Sequence, residues 1–77
     1  MRIAFSNHAL LKLRQRSISQ ELVTQTVHNP DFTKPTRHLR EERYKRFGKN
    51  YLKIVVIEER GTLIVITAHW LAKGVKK

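Results

Sequence analysis

Apolar residues in the N-terminal part of the chain recur at helical spacing, whereas those of the C-terminal part crowd into dense β-branched runs. Ser6 or Asn7 can cap a first helix running to about Arg16. On it Ala9, Leu10 and Leu13 share one face, and His8, Lys12, Gln15 and Arg16 share another, so the helix is amphipathic with a basic polar side. Ser17-Ile18-Ser19 interrupts the pattern. Ser19 then caps a second helix from Gln20 to about His28, with Glu21 in the first turn, where the helix dipole favours negative charge. Ile18 and Val23 stand at the staple positions around that cap, and Leu22, Val23 and Val27 form the apolar stripe. Asn29-Pro30-Asp31 ends the helix, because proline restricts the residue before it and cannot extend the ladder.

Asp31 to about Arg40 reads as a loop, with a second proline at Pro35 and a basic character from Arg37, His38 and Arg40. Glu42 to Phe47 alternates weakly and is a candidate edge strand, followed by a turn at Gly48-Lys49-Asn50. Tyr51 to Glu58 and Thr62 to Trp70 are strong strands joined by a hairpin turn at Glu59-Arg60-Gly61, with Gly61 free to take a positive φ. Leu71 to Lys77 is a basic tail. If Ile57 faces Thr62, one sheet face holds Leu52, Ile54, Val56, Leu63 and Val65, and the other holds Tyr51, Lys53, Val55, Ile64, Ile66 and Trp70. The expected architecture is α+β: two N-terminal helices packed on a three-stranded antiparallel β-meander, in a single domain spanning residues 1–77. Two short helices cover only one apolar sheet face. A homodimer or protein partner could cover the other, and so could loops and the C-terminal tail.

Composition narrows the function. Lys plus Arg number 16 against 6 Asp plus Glu, a net charge of +10 that draws polyanions, RNA first among them and an acidic protein second. With no cysteine, disulfides and thiolate metal sites are excluded. The four histidines lie at positions 8, 28, 38 and 69, without ligand spacing or carboxylate companions, so no metal and no cofactor is expected. No apolar run approaches the roughly 18 residues of a membrane span. The opening Met1 to His8 turns polar too soon for a signal peptide, which makes the cytoplasm the expected location and a membrane an unexpected partner.

The residues left to carry chemistry are cations and imidazoles. His8, Lys12 and Arg16 stand at i, i+4 and i+8 on one helical face, where two cations could hold a phosphodiester and a ring could move a proton near neutral pH. The plainer reading of that row is a solvated helix face. His69 ends the last strong strand beside Trp70, either as an active residue or as an ordinary hydrogen-bonded histidine. Arg43, Tyr44 and Arg46 could bind phosphate or stack on a base, or could simply protect a strand edge by charge.

The stretch from Ser6 to Ser19, the Val27-His28-Asn29-Pro30-Asp31 segment and the closing Val65-Ile66-Thr67-Ala68-His69 together resemble a small bacterial domain family of unknown function, similar to the RelE/ParE toxin superfamily. The resemblance covers nearly the whole chain. It departs at Lys12, where the family usually has Arg, and at Gln15 and Ser17, where it usually has Glu and Gly. It implies helices on an antiparallel sheet and a toxin-like role in a toxin–antitoxin pair. RelE-like members cleave messenger RNA, often on the ribosome, without metal, whereas ParE-like members act on gyrase. Carried to this chain, the resemblance implies a metal-independent endoribonuclease with catalytic residues His8, Lys12, Arg16 and His69. It also implies RNA, free or ribosome-bound, and an acidic antitoxin as partners; with Lys12 and Arg16 as phosphate contacts, the edge-strand residues Arg43, Tyr44 and Arg46 join them as nucleic-acid-binding candidates on their own chemistry. The absent Glu at Gln15 would remove one candidate base or ion-pair partner. The alternatives are a non-catalytic RNA-binding module and a ParE-like toxin or interaction domain that acts by binding protein.

Overall fold

A computed structural model describes residues 2–72 of the chain. The elements run β1 (Arg2–Phe5), α1 (Asn7–Gln15), α2 (Gln20–His28), β2 (Phe32–Pro35), β3 (Arg40–Phe47), β4 (Asn50–Glu59) and β5 (Thr62–Leu71). The strands form one five-stranded sheet in the order β1-β5-β4-β3-β2, in which β1 runs parallel to β5 and every other pair is antiparallel.

Both helices begin where serine supplies a cap. The Ser6 side chain accepts from the Ala9 amide at 3.0 Å, and the Ser19 side chain accepts from the Leu22 amide at 3.2 Å. Between them α1 closes in a Schellman arrangement: the Ile18 amide donates to Leu13 O and the Ser17 amide to Arg14 O. Ser17 holds the left-handed position at φ 54°. Glycine occupies that position at the least cost, so serine there carries some backbone strain. Ile18 and Leu13, brought together by the motif, are both buried.

The core lies between the helices and one face of the sheet. Ala9, Leu13, Ile18, Val23 and Val27 pack against Leu52, Ile54, Val56, Leu63, Val65 and Ala68. Leu52 and Ile54 are fully enclosed, each worth about 1.5–3 kcal/mol of burial. Among the described residues no element lies over the opposite face of the sheet.

This architecture keeps the expected α+β class but overturns the three-stranded antiparallel meander. Ile3 and Phe5 alternate with Arg2 and Ala4, too short a pattern to read alone, and form a strand only by pairing in parallel with Thr62 to Val65. The expected loop from Asp31 to Arg40 contains β2, where Phe32 to Pro35 pair with Glu41 to Tyr44. Pro35, which cannot donate to a ladder, is tolerated because β2 is an outer strand. The Glu42–Phe47 segment is therefore an interior strand, not an edge.

The β4–β5 register also differs from the expected one. Arg60 and Gly61 both take positive φ, 51° and 79°, and make a two-residue turn that sets Glu59 opposite Thr62. This is a two-residue slip from the Ile57–Thr62 pairing, and an even slip keeps side chains on the same faces. A bulge then intervenes. Val56 pairs with Val65 but Val55 pairs with Thr67, so Ile66 is an extra residue on β5. Beyond it the alternation of β5 reverses. Trp70, expected on the face away from Leu52, pairs with Leu52, packs on the core and meets Phe47 edge-on at 6.1 Å. The basic tail begins inside β5 at Leu71, and its residues 73–77 lie outside the described ones.

Candidate functional site

The bulge at Ile66 decides where the chemistry sits. Because the alternation reverses there, Thr67 and His69 turn to the face the helices leave open, and Lys53 of β4 stands directly opposite His69. Pairing continues across the sheet, with Tyr44 of β3 opposite Lys53 and Phe32 of β2 opposite Tyr44. One row therefore crosses the open face from β2 to β5: Phe32, Tyr44, Lys53, His69.

The row is extended past the sheet edge by α1. Pairing of β1 with β5 stops at Phe5 and Val65, so β5 from Ile66 onward has no β1 neighbour. Helix α1 packs along β5, and Arg16 at its C-cap reaches over. Arg16 Nη1 donates to the Ala68 carbonyl at 2.7 Å and to Thr67 Oγ1 at 3.4 Å, and lies 3.5 Å from His69 Nε2. A guanidinium only donates, so this last contact is a hydrogen bond in the tautomer that carries its proton on Nδ1. Burial lowers the His69 pKa, and the charges of Arg16, Lys53 and Lys12 lower it further. The ring is thus neutral at physiological pH, in a positive field, with a basic nitrogen facing a fixed cation.

The middle of the row is a hydrogen-bonded network. Lys53 Nζ pairs with Glu42 Oε2 at 3.2 Å, and the Tyr44 hydroxyl donates to Glu42 Oε1 at 2.8 Å. Burial would raise the Glu42 carboxyl, but the hydrogen bonds from Tyr44 and Lys53, with the charges of Lys53 and Lys34, hold it below its ordinary value. The Tyr44 phenol is pushed up to about 12 by burial and by its bond to Glu42. The phenol therefore stays protonated and serves to fix the carboxylate. Phe32 stacks on Tyr44 at 4.6 Å with an 11° interplanar angle, Tyr51 tilts against Phe32 at 5.8 Å, and Lys34 Nζ stands 5.7 Å from the Tyr44 ring centroid.

The residues singled out from the sequence thus divide. Lys12, Arg16 and His69 gather in one electrostatic neighbourhood. His8 is on the same helical row as Lys12 and Arg16 but sits exposed in the first turn of α1, and it is not among the groups acting on His69. Arg43 faces the helices, where its guanidinium bonds Glu41 and the Val27 carbonyl at the end of α2. Arg46 is exposed on the open face, its Nε donating to Gly48 O at 2.8 Å. Tyr44 is buried in the row, and Gln15 is exposed. Lys53 escaped the sequence reading as a site residue. The strand alternation did place it on the face away from Leu52, and a bulge in β5 was the missing element that set it beside His69.

Among the described residues no three His, Asp or Glu side chains are grouped so as to hold a metal ion, and no helix is long and apolar enough to cross a membrane. No curated protein and no solved structure matches the chain. A family model described as a domain of unknown function matches residues 5–70, a span that holds both Arg16 and His69.

Proposed function

The chain belongs to the family described as Domain of unknown function (DUF4258), and from its site we propose that it is a metal-independent endoribonuclease of the toxin type found in toxin–antitoxin pairs, similar in this respect to the RelE/ParE superfamily. The observation that carries this reading is the approach of Arg16 Nη1 to His69 Nε2 at 3.5 Å, on an open sheet face, with Lys53 and Lys12 close enough to depress the imidazole pKa.

A phosphodiester fits that arrangement chemically. As the incoming phosphate draws the Arg16 guanidinium off Nε2, the neutral ring takes the proton from a ribose 2′-hydroxyl at that nitrogen while the 2′-oxygen forms its bond to phosphorus. Arg16 and Lys12 stabilise the charge that builds on the phosphoryl oxygens, and Arg16 is held in place for this by the Ala68 carbonyl. The P–O5′ bond breaks, the leaving oxygen takes a proton from water, and the hydroxide left behind takes the proton that the imidazole gained. The products are a 2′,3′-cyclic phosphate and a 5′-hydroxyl, and the expected substrate is messenger RNA, free or on the ribosome. An acidic antitoxin would neutralise a protein of charge +10.

The test is RNA incubation in the presence of chelator, with end-group analysis. Cyclic-phosphate ends are expected from the natural protein and not from His69→Gln. Intact RNA in both the free and ribosome-bound forms contradicts the proposal. A second reading, RNA binding without cleavage, is favoured by the placement of His8, which sits exposed in the first turn of α1 and leaves His69 as the imidazole held against Arg16. In that case His69→Gln leaves RNA affinity within about twofold and no cleavage is ever seen.

A further inference from the structure

We infer that the open face of the sheet binds single-stranded RNA, with the base adjoining the phosphate at Arg16 and His69 stacked on Tyr51 and the next base on Phe32. The inference deepens the proposed function and rests on it.

Position comes from the register. Tyr51 pairs with Leu71 and Lys53 with His69, so Tyr51 is the diagonal neighbour of His69 on the same face, with backbone positions roughly 7–8 Å apart. Phe32 lies on β2, three strands from β5, which puts it roughly 14 Å from His69 along the row. A chain whose phosphate enters at Arg16 thus meets an aromatic ring first on β4 and then on β2. Tyr51 and Phe32 each keep part of their surface in solvent, whereas Tyr44 is enclosed and serves to brace Phe32.

Charge points the same way. The open face carries Lys34, Arg46 and Lys53, with Arg16 at its edge and the charge of Lys12 acting on His69 from the same helix. Its one central carboxylate, Glu42, is already engaged by Lys53 and by the Tyr44 hydroxyl, and so does not meet the incoming phosphates as a free anion. Cations interleaved with rings on a flat surface suit unpaired bases, which offer π faces that a duplex hides within its stack. Among the described residues no helix lies over this face, because both pack on the other side.

The experiment is fluorescence anisotropy with a labelled 2′-O-methyl RNA octamer, which lacks the 2′-hydroxyl that cleavage requires, and with the same sequence held in a duplex. The natural protein is expected to prefer the single strand. Tyr51→Leu, which keeps apolar bulk but no π face, is expected to weaken single-strand binding on the order of tenfold and leave duplex binding unchanged. Tyr51→Phe is expected to restore it, and Phe32→Leu to weaken it by a smaller factor. Natural affinity in Tyr51→Leu, or equal binding of strand and duplex, overturns the inference while leaving the phosphodiester site standing if Arg16→Ala still loses affinity. Absence of any RNA binding by the natural protein overturns both.

Discussion

Arg43, Tyr44, Lys45 and Arg46 are neighbours in sequence, yet strand alternation divides them between two faces, with Arg43 and Lys45 on one and Tyr44 and Arg46 on the other. On the covered face, Arg43 bonds the Val27 carbonyl and Lys45 bonds the Asn29 carbonyl at 3.0 Å. There the cations satisfy the unpaired carbonyls at the end of α2, where the helix dipole also favours them. On the open face, Lys53 pairs with Glu42 and Arg16 reaches in from α1 to the Ala68 carbonyl, and the charges of both act on the His69 imidazole. The partners of a basic residue in this fold thus depend on which side of the sheet it takes, and its residue type alone does not tell which.

The two faces can be separated by substitution. Ile54→Ala on the covered face should cost about 2–5 kcal/mol of stability in urea unfolding, because it opens a void in the enclosed core. Val55→Ala, one residue away on the open face and only half-buried, should cost much less. Equal losses would show that the open face is covered after all. Next in size, Arg16→Ala should lower RNA cleavage about 10²–10³-fold, as removal of a fixed donor to a developing anion does elsewhere. A loss of less than threefold would remove Arg16 from the site.

Arg43→Met should do the reverse. It leaves the Val27 carbonyl without its guanidinium and should destabilise the fold by about 1–3 kcal/mol in the same unfolding assay. Cleavage per folded molecule should be unchanged, and a large drop would place Arg43 at the substrate.

The smallest effect is that of pH on stability. The folded-state pKa of His69 lies below its ordinary value of 6.5, first because of burial and then because of Arg16, Lys53 and Lys12. The unfolded chain therefore binds the proton more readily. The contribution of His69 is fully present above pH 6.5 and is lost as pH falls through the lower folded value. Unfolding midpoints compared between the natural protein and His69→Gln should converge on that acid side. A difference that grows with acidity in the opposite sense would mean the ring is stabilised as a cation.

Much of this was legible in the sequence where the signal is local. The serine caps, the stop at Asn29-Pro30 and the two β-branched strands each rest on a few adjacent residues whose preferences agree with the fold. What escaped depends on distant partners. β1 and β2 are four residues each, too short to carry a period, and exist because β5 and β3 offer them ladders. The bulge at Ile66 leaves no mark in a run of apolar residues, yet it determines the face taken by Trp70 and His69. The candidate site was legible to the same extent. Helical spacing put Lys12 and Arg16 together, but the same spacing also suggested His8, which the first turn of α1 leaves exposed. Lys53 could be joined to His69 only through the register.

The most direct measurement is the NMR titration of the histidine rings with and without a short 2′-O-methyl RNA. A phosphate seated beside Arg16 and His69 adds negative charge next to the ring, so the His69 pKa should rise on binding. If RNA binds and the His69 titration does not move, or one of the other rings responds in its place, the phosphodiester site does not lie on the open face.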